Sequence, residues 1–406
     1  MKVWLINHYA VTPKYSGGTR HYDLAKVLNA RGHDVTVIAS SFHYAAFTET
    51  RTYDADEIVR IERVDGVRFV WIKTAPYRGN GFGRVRSMFE FTWKLRQLRA
   101  IGLPRPNVIV GSSVHLFAVY GAYRLAGALH VPFVMEVRDI WPQTLVDMGV
   151  PRWHPFVLLL RVLEPFLYRR AARIITLLPL AGAHIAVFGV PKTKVRWVSN
   201  GVDFGRFASV QPSHLLDPVK FNVLYAGTMG RANNLGPLLD AAALLAETAE
   251  IHVTLVGSGP LKAALASRAE GLANVTVMDA LPKEAVAPLL AEADLFYVGL
   301  KDLPLYRFGM SMNKVFDYMA AGRPVVFAAA VPENPVEKAG SGLIVPPDDS
   351  TAIANAILTL YNYTPLERSA MAEKGCKYVR AHFGMDVIAG QFESVLREVI
   401  DEYETD

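Results

Sequence analysis

Short apolar runs alternate with stretches of helical periodicity along this 406-residue chain. In the first half KVWLI (2–6), DVTVIAS (34–40), GVRFVWIK (66–73), NVIVGSS (107–113), PFVMEVR (132–138) and RIITLLP (173–179) are bounded by polar or turn-forming residues. Near-continuous apolar runs of this length read as strands buried on both faces. TRHYDLAKVLNARG places Leu24, Val27 and Leu28 on one helical face and stops at Gly32. The second half restarts the same alternation with KFNVLYAG (220–227), NLGPLLDAAALLAE (234–247) and HVTLVGSG (252–259). NVTVMD, DLFYVGL, RPVVFA and GLIVPP supply its later strands, with NKVFDYMAAG a helix ending at Gly322. Strand–helix alternation predicts a parallel, doubly wound α/β sheet, and the restart predicts two. They meet at Ser199-Asn200-Gly201-Val202-Asp203, where a strand-like run enters an Asn-Gly turn. The expected domains are 1–203 and 204–383, with 384–406 a terminal helix returning to the first. Two Rossmann-like domains facing a central cleft would bind ligands at the carboxyl ends of their strands.

Composition narrows the class. The chain is 51% hydrophobic and 20% charged, which is globular. Its single cysteine, Cys376, excludes an internal disulfide framework and fits a reducing cytosol. MKVWLI reads as a first strand rather than a leader, and no apolar run reaches the roughly 18 residues of a spanning helix. The net charge of +5 is unevenly placed: residues 1–205 carry 27 Lys+Arg against 14 Asp+Glu, and residues 206–406 carry 16 against 24. A basic half favours an anionic partner. Without zinc-ligand cysteines or an aromatic RNA-binding signature, nucleic acid is not expected.

The candidate chemistry sits where strands end. Gly17 and Gly18 follow the first strand and precede a helix, where backbone N–H groups can approach an anion. In Gly309-Met310-Ser311-Met312-Asn313-Lys314-Val315-Phe316-Asp317-Tyr318, a lysine in a helix's first turn can hold a diphosphate. Asp317, three positions on, shares its face and can accept from a ribose diol. Arg231 in YAGTMGRANNL suits bidentate phosphate contact. EVRDIWP offers Asp139 to orient an acceptor hydroxyl and Trp141 to stack on a sugar face. His115, and more weakly His8, lie at strand ends and could bond donor or acceptor. No activated serine or cysteine and no His-Glu metal pair is found, and neither metal nor cofactor is expected. In GRVRSMFEFTWKLRQLR (83–99), Met88, Phe91, Leu95 and Leu98 form an apolar seam among Arg84, Arg86, Lys94, Arg96 and Arg99. WHPFVLLLRVLEPFLYRR (153–170) is similar; both are candidates for an anionic membrane surface, or for packing on the sheet.

The glycine loop GG-x-R-H-x-x-x-L-A from Gly17, the SNGVD hinge, the VGSGP turn and the NKVFDYMAAGRPVV segment, in that order over nearly the whole chain, resemble glycosyltransferase family 4. That family consists of retaining sugar-nucleotide transferases of the GT-B fold. The resemblance implies a donor diphosphate held by the loop from Gly227 to Arg231, by Lys314 and by Ser311 and Asn313. It also implies a nucleobase bracketed by loops that include Asp279 and Leu281. Asp139, His115, Lys314 and Arg231 are the residues it marks for catalysis. Two departures stand out. Gly309 occupies the position of the family's first glutamate, and Asn234 that of its usual lysine. The pattern is similar to the subfamily of bacterial transferases for deoxy and amino-deoxy sugars. It implies a UDP-sugar donor and a saccharide acceptor, lipid-linked, in surface polysaccharide assembly. The expected place is the cytoplasm, peripheral on the inner membrane face. A GT-B nucleotide-sugar 2-epimerase and a silent nucleotide- or glycan-binding module are the alternatives.

Overall fold

The structure, a computed structural model, describes every residue except Ser16, Asn80, Ser209, Ala249 and Asp406. It divides into two compact units, Met1–Asn200 with Met385–Asp406, and Gly201–Gly384.

The first unit runs β1 (Lys2–Ile6), α1 (Arg20–Ala30), β2 (Asp34–Ser40), a short antiparallel pair β3 (Phe42–His43) and β4 (Thr48–Glu49), β5 (Val59–Val64), β6 (Val67–Ile72) and α2 (Phe82–Lys94). It continues through β7 (Val108–Ser112), α3 (Leu116–Leu129), β8 (Phe133–Val137), α4 (Gln143–Asp147), α5 (Pro155–Arg170), β9 (Arg173–Thr176), α6 (Ala181–Ala186) and β10 (Val195–Trp197). The main sheet has the order β10-β9-β8-β7-β1-β2-β6-β5. Its pairings are parallel except β5 on β6. The chain winds outward from β1 to β6 on one side, then crosses to β7 on the other. This places the topological switch point, where α/β sheets open a crevice for ligands, beyond the carboxyl ends of β1 and β7.

The β5–β6 hairpin went unread at the sequence level although its signal is present. VRIERV alternates, and Asp65-Gly66 takes positive φ of 49° and 82°, as a two-residue hairpin turn requires.

The second unit runs β11 (Phe221–Ala226), α7 (Gly236–Leu244), β12 (Ile251–Val256), α8 (Lys262–Ala269), β13 (Val275–Met278), α9 (Lys283–Glu292) and β14 (Leu295–Gly299). Then come α10 (Asn313–Ala320), β15 (Val325–Ala328), α11 (Pro335–Ala339), β16 (Gly342–Val345), α12 (Ser350–Asn362) and α13 (Pro365–Phe383). All pairings in the order β13-β12-β11-β14-β15-β16 are parallel. Val223, Leu255, Tyr297 and Val326 from four strands pack with Leu238 and Leu239 of α7 and Ile353 and Ile357 of α12 into one core. The winding reverses here between β11 and β14. The last helix, α14 (Met385–Thr405), packs on α1 of the first unit, where Glu393 meets Arg31 and His33 at 3.2 and 2.9 Å.

Of the two expectations for residues 83–99, packing against the fold is the one observed for the seam. The seam Met88, Phe91, Leu95 and Leu98 is core, no residue of it more than 3% exposed, and Phe91 stacks on His8 at 4.5 Å. Periodicity shows that a helix has an apolar face but not what covers it; here α3 covers it. No helix among the described residues is long and apolar enough to cross a membrane.

Candidate active site

Lys314 lies in the first turn of α10, and its ammonium reaches back to the β11 loop. Nζ donates to the Tyr225 hydroxyl at 2.8 Å and to Asn233 Oδ1 at 2.6 Å, and sits 4.5 Å from the Tyr225 ring centroid. Both acceptors are neutral, and among the described residues no carboxylate pairs with it. Burial without a counter-charge pulls its pKa down to about 7. The partners are themselves pinned: Tyr225 donates to the Thr228 carbonyl at 2.6 Å and Asn233 Nδ2 to the same oxygen at 2.8 Å. Two of three ammonium N–H groups are therefore spent and one remains, beyond β11 and β14 where the sheet's winding reverses.

Arg231 opens the short 3-10 turn Arg231–Asn233, exposed and without a partner among the described residues. Gly227 lies against the lysine; a Cβ there would stand 3.2 Å from Nζ. Ser311 and Asn313 are half-buried at the start of α10. Asp317 accepts from Arg206 at 2.9 Å, so its carboxylate is already engaged. Asp279 is exposed and ion-paired with Lys262, and Leu281 follows it half-buried in the loop after β13.

Both family departures have local causes. Gly309 holds φ 85° and ψ −166°, a conformation closed to a glutamate without strain. Asn234 is buried in the left-handed region, and its amide donates to Asp348 at 2.9 Å. The glycines of VGSGP serve packing. A Cβ on Gly257 would stand 1.8 Å from the Gly227 carbonyl oxygen, and one on Gly259 2.5 Å from that of Met229. Two loops thus meet backbone to backbone.

The first unit's switch point is polar, and its buried acid is neutralised from within. Glu136, inside the buried strand β8, accepts from Arg20 Nε at 2.8 Å and His21 Nε2 at 3.0 Å. Burial opposes its ionisation, but the Arg20 charge and the His21 hydrogen bond outweigh that and hold its pKa well below the carboxylate range. Arg20 also donates to the carbonyls of Val198 and Ser199, so the R-H of the glycine-loop motif fastens the sheet rather than facing a ligand. Sequence reading missed Glu136. A lone acid in an otherwise apolar strand run was the available signal, because buried acids are almost always paired.

His115 caps α3: the Ala118 N–H donates to its Nδ1 at 3.2 Å. A backbone N–H can only donate, so His115 carries its proton on Nε2 and donates it to His8 Nδ1, 2.7 Å away. His8 in turn carries its proton on Nε2, which has no acceptor among the described residues and is not a fully enclosed polar atom. Burial lowers the pKa of His115 to about 3 and that of His8 well below its usual value. Neither takes up a proton near neutral pH; the pair is a fixed chain of donors ending at His8 Nε2.

Asp139 is exposed just past β8. The protein around it raises its pKa and the Arg138 charge lowers it. Trp141 is half-buried, edge-on to Phe156. Gly17 and Gly18 precede α1, whose first turn carries Asp23, hydrogen-bonded by Thr19 at 2.6 Å. That carboxylate works against an anion at this helix end.

A family model described as glycosyl transferase 4-like domain matches residues 17–201, and one described as glycosyl transferases group 1 matches residues 220–363. Among solved structures, sucrose-phosphate synthase from Thermosynechococcus elongatus aligns over 99% of both chains at 19% identity and TM-score 0.76. Trehalose 6-phosphate synthase from Burkholderia multivorans covers 100% of this chain and 98% of its own at 13% identity and TM-score 0.72. Anabaena HepE in complex with UDP and glucose covers 98% and 99% at 17% identity and TM-score 0.69. No match was found among curated protein sequences. The chain is a glycosyltransferase of the GT-B fold, with family 4-like domains.

Proposed function

We propose that the chain moves a sugar from a UDP-sugar to a saccharide acceptor carried on a lipid, with retention, in surface polysaccharide assembly. The observation that carries this is Lys314, a half-buried lysine lacking a counter-ion among the described residues, beyond the carboxyl ends of β11 and β14. A half-buried cation held only by neutral acceptors is complementary to a diphosphate. Arg231 adds a second charge, and the solved complex of HepE with UDP and glucose has this fold. In the reaction the bond from the sugar's anomeric carbon to the diphosphate oxygen breaks as the acceptor oxygen bonds the same face. The acceptor proton passes to the departing diphosphate. Lys314 and Arg231 stabilise the charge on that diphosphate, the main catalytic contribution expected of fixed cations. Asp139 orients the acceptor hydroxyl, and His8 donates to a ligand oxygen while His115 holds it in place. Ribose contact by Asp317 would share the carboxylate with Arg206.

Calorimetric titration with UDP, then with UDP-sugars, and an assay of transfer to lipid-linked saccharides test the reading. Saturable UDP binding that weakens at least tenfold in Lys314→Ala is expected, since a hydrogen bond to a charged group contributes roughly 1.5–3 kcal/mol. UDP affinity indifferent to Lys314, or UDP-sugar turnover without acceptor, would overturn it.

A further inference from the structure

Burying the predicted seam of α2 leaves another face of that helix open. Phe82 is 82% exposed, Trp93 56% and Phe89 47%, and across from them Leu159 of α5 is 48% exposed. With α3 as the floor, these side chains line a groove of about 1030 Å³. Aromatic residues exposed together in a concavity mark a binding site, and this volume lies at the upper end of ligand pockets.

The rim gives the occupant's charge. Arg86, Arg96, Arg99 and Arg124 border the groove, all are exposed, and none pairs with a carboxylate among the described residues. Arg96 lies 3.5 Å from the Trp93 ring centroid and Arg124 donates to the Tyr120 hydroxyl at 3.1 Å, so two guanidinium groups are set against groove-lining rings. The lining's one carboxylate, Glu90, is occupied by Lys94 at 2.6 Å and the Ala75 N–H at 2.7 Å. An apolar trough with an unneutralised arginine rim is complementary to a long hydrocarbon chain ending in phosphate.

We propose that the groove of α2, α3 and α5 binds the lipid chain of a lipid-linked diphosphate acceptor, with its phosphates on the arginine rim. This deepens the function proposed above and rests on its lipid-linked acceptor. A walled groove takes one chain at a time, in contrast to a flat helix face lying on a bilayer.

The test uses the full chain and farnesyl diphosphate below its micelle concentration, followed by calorimetry and by the part of the tryptophan fluorescence change that is lost in Trp93→Phe. Saturable binding is expected, at least tenfold weaker in Leu159→Glu and in the double variant Arg96→Gln with Arg124→Gln. UDP affinity, unchanged in both, serves as the check that the fold is intact. Farnesyl diphosphate affinity unmoved by both variants, or lost only in Lys314→Ala, overturns the proposal. So does binding to phosphatidylglycerol vesicles with no binding of the monomeric lipid. If the lipid binds in the groove but no sugar passes to a lipid-linked acceptor, the functional reading fails and the site stands. If transfer proceeds equally in the groove variants, the site alone fails.

Discussion

The two sheets solve the same topological problem and handle charge in opposite ways. Each reverses its winding beside its first strand, and each gathers polar side chains beyond those strand ends. In the first unit the buried acid is neutralised from within: Glu136 meets Arg20 and His21, and the histidine pair beside it is uncharged. In the second, Lys314 faces only a phenol and an amide. A satisfied cluster builds a scaffold, whereas an unsatisfied cation keeps free energy available for an incoming anion. The contrast gives the Glu136 cluster a structural part and leaves Lys314 as the cation available to an anion.

The largest effect that would break this contrast is at Glu136. Glu136→Gln leaves Arg20 buried beside a neutral amide, and loss of one partner of a buried pair costs about 3–5 kcal/mol. Chemical denaturation should show the first unit's transition at much lower denaturant. An unchanged transition would mean that the cluster does not hold the sheet.

Lys314→Met should do the reverse. It removes a half-buried charge that has no counter-ion, so stability should rise while transfer falls roughly 100-fold, as when one preorganised donor is lost. Denaturation midpoints and kcat, measured on one preparation, check both halves. A variant that loses stability along with activity would show Lys314 to be structural.

The pH dependence of UDP binding sharpens the point. Free Lys314 is half-protonated near pH 7, because burial lowers its pKa to about 7. A bound diphosphate favours the charged form, so binding above pH 7 must take up a proton. Affinity should fall up to about tenfold per unit above pH 7. Calorimetry in buffers of different ionisation enthalpy reads the proton directly. Without ligand the sign reverses: the unfolded lysine binds more protons between pH 7 and 10.5, so its penalty on folding is relieved as pH rises through that window.

The smallest effect is at the histidine pair. His115→Ala loses a helix cap, worth about 1 kcal/mol, and should leave UDP affinity unchanged. Its folded pKa lies below the unfolded value of 6.5, so its contribution is fully present above pH 6.5 and is lost as pH falls towards 3. Acid unfolding of wild type and variant should converge in that range. Equal stability of the two at pH 7 would remove the capping role.

Several local features could be read from the chain by itself. Alternating apolar runs specify two doubly wound sheets, because a strand buried on both faces must be apolar throughout and its crossover must be a helix. Lys314 could be placed at a helix start from the segment around it. What surrounds it could not: Tyr225 and Asn233 come from 89 and 81 residues away, and Arg206 reaches Asp317 across 111. Glu136 likewise meets Arg20 across 116 residues. The same limit explains α2, where periodicity located an apolar seam and the fold buried it, leaving Phe82, Phe89 and Trp93 outside. Local pattern sets the backbone, since each residue's conformational preference and spacing act over a few positions. Whether a charge is neutralised, and which face of a helix meets water, depends on neighbours that only chain folding brings within a few ångströms.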